Sequence, residues 1–201
     1  MIVIGLTGGM GSGKSSVSRL FLKYGINSID TDLVSRNVCK PGMPCLVELT
    51  NVFGDRILNT DCSLNRKKLA SIVFSDKEKL KLLNSVTHKY ILTSVRQWLD
   101  CEKQSGRAAA IVDAPLLYES GFDKECDIVI SVISDKTTRI KRVMDRDNSS
   151  FEDAKKRFDN QLTDNFYTKN ANYVITNNGS LHDLEIQIDR IYTSIFGERY
   201  S

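Results

Sequence analysis

The chain has 201 residues, enough to bury one substantial core, and we expect one domain with insertions. Its 28 Lys and Arg residues nearly balance 25 Asp and Glu residues, so the net charge of +3 excludes bulk electrostatic attraction to nucleic acid or to a membrane. The 5 cysteines contain no C-x-x-C pair and only 2 histidines are present, which disfavours a disulfide framework, a zinc site and a histidine-based triad.

The apolar start of the chain has no basic residues before it, so we do not expect a signal peptide. No uncharged stretch approaches the roughly 18 residues of a membrane helix. Together with the odd number of free thiols, this composition predicts a cytoplasmic protein.

Short apolar runs recur along the chain and are separated by segments with helical periodicity. The runs cover residues 2–6, 28–29 before Asp30, 108–112 before Asp113, 128–133 and 173–175. Because most of them lack alternation, they predict an α/β fold with a parallel sheet covered by helices on both faces.

Directly after the first run, Gly8 to Ser15 fits the phosphate-loop pattern G-x-x-x-x-G-K-[ST] in full. Glycines allow backbone N–H groups to surround an oxygen-rich anion at the start of a helix. Lys14 is placed to neutralise β- and γ-phosphate charge, and the Ser15 hydroxyl to bind Mg²⁺. We therefore predict ATP binding by Gly9, Met10, Gly11, Ser12, Gly13, Lys14, Ser15 and Ser16. A dinucleotide fingerprint is disfavoured, because its third glycine would fall at Lys14.

The second run ends in Asp30-Thr31-Asp32, at the strand end where open α/β sheets place ligands. One carboxylate can accept a proton from a hydroxyl, and the other can order Mg²⁺ or the loop. Either aspartate can instead cap the next helix.

Two helical stretches interrupt the strand pattern. Residues 34–107 predict a helical insertion with a turn at Pro41 to Pro44 and a capping box of Ser75 and Glu78. Residues 136–169 predict an arginine-rich lid that restarts at Ser150 with Asp153. The nucleotide-binding core then comprises residues 1–33, 108–135 and 170–201.

Asp113 ends the third run directly before Ala114-Pro115, as a Walker B carboxylate does when it faces Mg²⁺. A turn aspartate at a strand end is the alternative. Glu119, six residues later, is a weaker candidate.

In the predicted lid, Arg139, Arg142 and Arg146 share one helix face. Guanidinium groups bind phosphate oxygens bidentately, so this face can close over ATP; a solvated basic face is the alternative. Arg157 and Gln161, one turn apart, are plausible helpers.

Two further signals are ambiguous. His88 either touches a substrate phosphate or packs within its helix. Asn177-Asn178-Gly179-Ser180 follows the last run and either offers amide groups to a base or forms an ordinary turn with a capping serine.

Several motifs, in this order and spacing, make the chain resemble the dephospho-CoA kinase family over nearly its whole length. They are Gly5 to Ser15, Ile29 to Asp32 with Arg36, Arg66 with Leu69-Ala70 and Val73-Phe74, Leu83-Asn84 with His88, Val112 to Glu119, Arg139, Arg142 and Arg146, Ala154, Arg157 and Gln161, and Asn177 with Gly179.

The resemblance implies a P-loop NTPase fold with a five-stranded parallel sheet, and ATP-dependent phosphorylation of the 3′-hydroxyl of the dephospho-CoA ribose. It implies catalytic roles for Asp32 as general base, Lys14 and Arg142, with ATP contacts also from Arg139, Arg146, Asn177 and Gly179. Mg²⁺ is assigned to Ser15 and Asp113. Substrate binding is assigned to Asp32, Arg66, His88, Asp113, Leu116, Glu119, Arg157 and Gln161.

Three positions depart from the family pattern. The family often has Pro where this chain has Lys89, Asp where it has Asn172, and Ile where it has Met10. None removes a reacting group, but the first leaves the role of His88 open.

The expected partner is the small molecule dephospho-CoA, with neither nucleic acid nor membrane, and we expect a monomer with at most weak self-association. Two alternatives stay open: a nucleoside or nucleotide kinase of the same fold, and a regulatory NTPase that uses the basic helix on nucleic acid. The second is disfavoured, because aromatic residues are not interleaved with the basic ones and no N-K-x-D signature occurs.

Overall fold

The computed structural model describes residues 1–74, 76–148, 150–158 and 161–197, without the side chains of Ala154, Lys156 and Arg157. Its strands are β1 (Ile2–Thr7), β2 (Asn27–Asp30), β3 (Ala109–Asp113), β4 (Ile128–Ile133) and β5 (Tyr173–Thr176). Its helices are α1 (Lys14–Leu22), α2 (Thr31–Val38), α3 (Pro44–Phe53), α4 (Arg66–Val73), α5 (Lys77–Gln104), α6 (Lys136–Asp147), α7 (Phe151–Phe158), α8 (Asp164–Asn170) and α9 (Leu181–Phe196). Short 3-10 turns cover Asp55–Ile57 and Phe122–Glu125.

The five strands form one parallel sheet in the order β2-β3-β1-β4-β5, which confirms the predicted fold class. Ile4 of β1 pairs with Ile111 of β3 on one side and with Ile128 of β4 on the other. The strand order therefore reverses at β1, and ligands of such sheets bind at the carboxyl end of this strand.

Helices α1 and α9 contribute apolar side chains to the largest part of the core. Phe21 of α1 and Ile188 of α9 are completely buried with Ile4, Leu6 and Ile111 of the sheet. The strands contain few polar residues, because helices cover both faces of a parallel sheet. This packing fixes the end of β1 and the start of α1 relative to each other.

The chain divides into two compact units. The first comprises Met1–Ile29 and Glu102–Ser201, and the second comprises Asp30–Cys101. The second unit is mainly helical and contains an isolated bridge between Leu58 and Leu64. Its buried side chains include Leu49, Phe53 and Val95.

Local capping signals determine several helix starts. At the predicted capping box of α7, Ser150 Oγ accepts the Asp153 N–H at 3.1 Å and donates to Asp153 Oδ2 at 2.9 Å. Ser75, predicted to cap with Glu78, lies outside the described residues. In the described part of the chain, the carboxylate of Asp76 accepts the N–H groups of Glu78 and Lys79, at 3.0 and 3.2 Å. No helix among the described residues is long and apolar enough to span a membrane.

Candidate active site

The phosphate loop is the turn from Gly8 to Gly13 between β1 and α1. Gly8 has φ +141° and Gly13 has φ +95°, where a side chain is strained. A Cβ on Gly8 would collide with the carbonyl oxygen of Val132, and one on Gly13 with the side-chain amide of Asn177. Both positions therefore require glycine for conformation and for space.

The start of α1 is open to an anion. Its N-cap residue is Gly13, which supplies no side-chain acceptor for the first amides of the helix. Lys14 Nζ donates to the carbonyl oxygen of Gly8 at 3.0 Å, so its ammonium group lies across the loop. Ser12 is completely buried, and its hydroxyl has no hydrogen-bond partner among the described residues. These groups suit a bound phosphate.

Side chains distant in sequence hold the loop backbone in place. Asn177 Nδ2 donates to the carbonyl oxygen of Ser12 at 2.8 Å, and this contact is buried. The backbone N–H of Met10 donates to Gln161 Oε1 at 3.0 Å. The structure thus places the predicted residues Asn177 and Gln161 against the loop itself.

Arg142 bridges the loop and the segment after β5. Its Nη2 donates to the carbonyl oxygen of Asn177 at 3.1 Å, and Nη1 approaches the carbonyl oxygen of Gly11 at 3.4 Å. Nη1 also lies 3.4 Å from Ser134 Oγ. The guanidinium is therefore held by several neutral acceptors, and no carboxylate is found among these contacts.

Arg139 is a buried cation beside the loop. Only 7% of the residue is exposed, and its guanidinium packs directly on Gly9, where a Cβ would collide with it. Nη1 lies 3.3 Å from Asp164 Oδ1, and the guanidinium carbon lies 5.3 Å from the centroid of the Phe158 ring. Its Nε and Nη1 make no aligned hydrogen bond among the described residues, so these donors suit an anionic ligand.

Arg146 is placed differently from these two arginines. Its side chain is 61% exposed and pairs with the adjacent Asp147, with Nε 2.7 Å from Oδ1. The structure therefore brings Arg139 and Arg142 to the loop and leaves Arg146 at the surface. The side chain of Arg157, the other predicted arginine, lies outside the described residues.

Asp113 ends β3 just before Pro115, as the sequence predicts, and is only 9% exposed. Its Oδ2 accepts a hydrogen bond from Ser18 Oγ at 3.2 Å. Ser18 is one turn beyond Ser15 on α1, so the carboxylate contacts the helix that carries the Ser15 hydroxyl. Carboxylate and hydroxyl oxygens are hard donors of the type that Mg²⁺ prefers.

An aromatic cluster that was not predicted joins Tyr118, after β3, to two residues of α8. The rings of Tyr118 and Phe166 meet edge to face with centroids 5.2 Å apart, beside Tyr167. Burial, and then the carboxylate of Glu119, raises the pKa of Tyr167 to about 12. Desolvation also raises the pKa of Glu119. Leu116, another predicted substrate contact in this segment, is 53% exposed. This cluster gives the segment around Glu119 an apolar wall.

The segment after β5 has two local roles. Asn178 Oδ1 accepts the hydroxyl of Ser134 and the N–H of Asp135, both at 2.8 Å. Ser180 and Asp183 form a capping box at the start of α9, and Asp183 leaves no room for a side chain at Gly179. The turn with a capping serine is therefore real, and Asn177 serves the phosphate loop as well.

In the second unit, the structure separates the two aspartates after β2. Asp30 Oδ1 accepts the N–H groups of Asp32 and Leu33 at 2.8 and 3.2 Å, so Asp30 is the cap of α2. Asp32 lies in the first turn of α2 and is exposed. The capping alternative therefore describes Asp30, and Asp32 remains the candidate base.

The other candidates of this unit are less constrained. Arg66 is the first residue of α4 and is exposed. His88 is half-buried in α5, and this burial lowers its pKa. Neither side chain has a contact that identifies a ligand.

Comparison with known proteins gives a consistent result. A family model described as dephospho-CoA kinase matches residues 2–183. A dephospho-CoA kinase of Corynebacterium efficiens is 38% identical over 97% of this chain and 98% of its own length. A crystal structure from Thermus thermophilus superposes with TM-score 0.81 and 31% identity over 98% of both chains, and a dephospho-CoA kinase of Campylobacter jejuni with TM-score 0.71 and 27% identity over 96% of both.

Proposed function

The chain belongs to the dephospho-CoA kinase family, and from this membership we propose how its residues share the work of phosphoryl transfer. The protein transfers a phosphoryl group from ATP to the 3′-hydroxyl of the ribose of dephospho-CoA, giving CoA and ADP, the last step of CoA biosynthesis. The observation that carries this function is the family match across the phosphate loop, both aspartate-bearing strand ends and the arginine helix.

The loop binds the phosphates of ATP in a preformed cradle. Support comes from the buried contact of Asn177 with Ser12 and from the contact of Gln161 with Met10. Because these bonds fix the backbone before the nucleotide arrives, little reorganisation accompanies binding. Gln161 thus has a role in holding the loop backbone, besides its expected contact with dephospho-CoA.

Lys14 neutralises charge on the transferred phosphoryl group. Its contact with the Gly8 carbonyl places the ammonium across the loop, within reach of phosphates that bind there. Arg139 supplies donors from a buried position on Gly9, and Arg142 approaches from the loop after β5. Arg146 requires a change of its exposed ion pair to take part.

The residues present fit Mg²⁺. Ser15 and Asp113 offer oxygen ligands on two elements that contact each other. The described residues contain no cluster of three His, Cys, Asp or Glu side chains that could hold a metal ion by themselves, so substrate phosphates would have to supply further ligands. Mg²⁺ commonly binds one or two protein oxygens together with substrate phosphates. When bound, the ion neutralises charge on the β- and γ-phosphate oxygens.

Asp32 accepts the proton of the 3′-hydroxyl as general base. Both aspartates are exposed, but Asp30 Oδ1 is engaged as the cap of α2, so we assign the base to Asp32. Arg66, His88, Asp113, Leu116, Glu119 and Arg157 are proposed to contact dephospho-CoA, with the cationic groups directed to its phosphates.

An assay of ADP release with dephospho-CoA, adenosine and nucleoside monophosphates as acceptors tests the function. We expect turnover with dephospho-CoA to exceed that with each other acceptor by at least about 100-fold, since a site built for one acceptor leaves polar groups unpaired with another. Preference for a nucleoside monophosphate would contradict the assignment.

Light scattering of the purified protein tests the expected monomer, and fluorescent tagging in cells tests the expected cytoplasmic location.

A further inference from the structure

Cys39 and Cys45 form a thiol pair that phosphoryl transfer does not use. Their Sγ atoms lie 3.7 Å apart in the second unit. Cys45 is fully buried and Cys39 is 5% exposed, so Cys39 is the more accessible residue of the pair. A disulfide bond would require the two sulfurs to close from 3.7 Å to about 2.05 Å.

A rigid turn brings the two thiols together. Cys39 is the C-cap residue of α2, and Cys45 is the second residue of α3 after Pro44. Between them, the Met43 N–H donates to the carbonyl oxygen of Lys40 at 3.1 Å, and Gly42 has φ +82°. Pro followed by such a glycine is typical of a type II turn. The fold therefore already holds the two thiols close together, so little conformational entropy is lost when they react.

The hydrogen bond between the two thiols shifts their pKa values in opposite directions. The thiol of Cys45 hydrogen-bonds to Cys39 and, with a smaller contribution from the Arg66 guanidinium, lowers the pKa of Cys39 to about 7 against the opposing effect of burial. The same hydrogen bond and burial raise the pKa of Cys45. Cys126 differs, because burial raises its pKa to about 12 and it has no thiol neighbour among the described residues.

We propose that Cys39 and Cys45 are a redox-active dithiol that a low-molecular-weight disulfide converts into an intramolecular disulfide bond. The Cys39 thiolate attacks one sulfur of the reagent, forms a mixed disulfide and releases one thiolate, which takes up a proton. The Cys45 thiol then loses its proton and attacks the Cys39 sulfur, which releases the second reagent thiol. Two cysteine thiols are oxidised and one reagent disulfide is reduced to two thiols.

This chemistry concerns a helix with a proposed catalytic residue. Helix α2 begins next to Asp30, carries Asp32 in its first turn and ends at Cys39. The bond would tie the end of this helix to α3. The proposal rests on the thiol geometry, and its test does not depend on kinase activity.

Peptide mapping of the full chain in glutathione redox buffers tests the proposal. Trypsin does not cleave before Pro41, so residues 37–56 carry both cysteines on one peptide, whereas Cys62 and Cys101 lie on two others. After acid quenching and alkylation, we expect peptide 37–56 to carry no alkyl group and to have a mass lower by two hydrogen atoms than that of the reduced peptide. The intramolecular form should exceed the glutathione adduct of this peptide at least about tenfold, because the second thiol is already in place to displace glutathione.

Under the same buffers, Cys62 and Cys101 should carry glutathione adducts only. The proposal is overturned if both cysteines of peptide 37–56 remain alkylated in fully oxidised glutathione, or if they carry adducts without an internal bond.

A variant tests the order of attack. Cys45→Ser keeps a hydrogen-bond donor beside Cys39 but no resolving thiol, so it should trap the glutathione adduct on Cys39. Cys62→Ala should leave the result for peptide 37–56 unchanged. A Cys45→Ser protein with native circular dichroism but no adduct would overturn the first step. If this variant does not fold, mapping of the wild-type chain still decides the proposal.

Discussion

The two units hold their candidate site residues in different ways. In the first unit, Asn177, Gln161 and Arg139 are tied to the phosphate loop by hydrogen bonds or close packing. In the second unit, Asp32 and Arg66 are exposed and His88 is half-buried. We therefore expect the proposed ATP site to be preformed and the proposed acceptor residues to acquire their contacts when the substrate binds. Loop variants should then affect ATP binding, and Asp32 variants the transfer step.

The largest expected effect is that of Asp32→Asn, which removes the proposed base and keeps the shape of the side chain. We expect kcat to fall about 10²- to 10⁴-fold, the usual contribution of general base catalysis. The KM for ATP should change less than about twofold. Steady-state ADP release measures both values.

Asp100→Asn is the matched control, since Asp100 is exposed on α5 in the same unit. Near-normal turnover of Asp32→Asn would contradict the assignment of the base.

Lys14→Ala should lower kcat/KM for ATP about 10²- to 10³-fold, because a positive charge is lost where transition-state charge develops. Kinetics at varied ATP concentration measures the loss. Lys23→Ala, which removes an exposed lysine of the same unit paired with Glu185, should keep wild-type kinetics. Equal losses in both variants would remove the special role of Lys14.

Arg142→Ala compared with Arg146→Ala separates the buried and exposed parts of the arginine helix. We expect about tenfold slower turnover for Arg142→Ala, since the guanidinium contacts both Gly11 and Asn177, and less than about twofold for Arg146→Ala. Rate measurements at saturating substrates test the contrast. The reverse order would show that Arg146 moves to the nucleotide during the reaction.

Asn177→Ala should raise the KM for ATP about three- to tenfold with a smaller change in kcat. The substitution leaves the Ser12 carbonyl without its buried donor, at a cost of about 1–3 kcal/mol. Asn170→Ala is the control, because Asn170 is exposed and its side-chain amide donates to the Phe166 carbonyl within α8. An unchanged KM in Asn177→Ala would mean that the loop holds its shape without this anchor.

The smallest effect concerns His88 and pH. Burial lowers the pKa of this imidazole, so the folded state binds fewer protons than the unfolded state. The folded protein should therefore lose stability as the pH falls below about 6.5, the ordinary pKa of histidine. His88→Asn should flatten this part of the pH profile of Tm. An identical profile would show that His88 is solvated.

Local sequence signals predicted the elements that position the site. Buried apolar runs located all five strands, and the glycine pattern located the turn that only glycine at Gly8 and Gly13 can form. Ser75 of the predicted capping box lies outside the described residues, and in the described chain the carboxylate of Asp76 accepts the N–H group of Glu78.

Contacts between distant segments could not be derived from the sequence. Examples are the ion pair of Arg139 with Asp164 and the hydrogen bond of Ser134 with Asn178. Each connects different elements, and no spacing pattern in the sequence predicts it. The family resemblance pointed to Asn177 and Gln161, but their contacts with the loop backbone follow only from the fold. The sequence left a phosphate-binding face and a solvated face as alternatives for all three arginines, and only the fold distinguishes the exposed Arg146 from the buried Arg139.

The most direct test of the central claim is phosphorus NMR of the product formed from ATP and dephospho-CoA. The account predicts one new phosphomonoester on the 3′-oxygen of the ribose and one ADP for each product molecule. The signal should be absent with Lys14→Ala on the same time scale. ADP formation without a 3′-phosphate, or a phosphate at another position, would contradict the account.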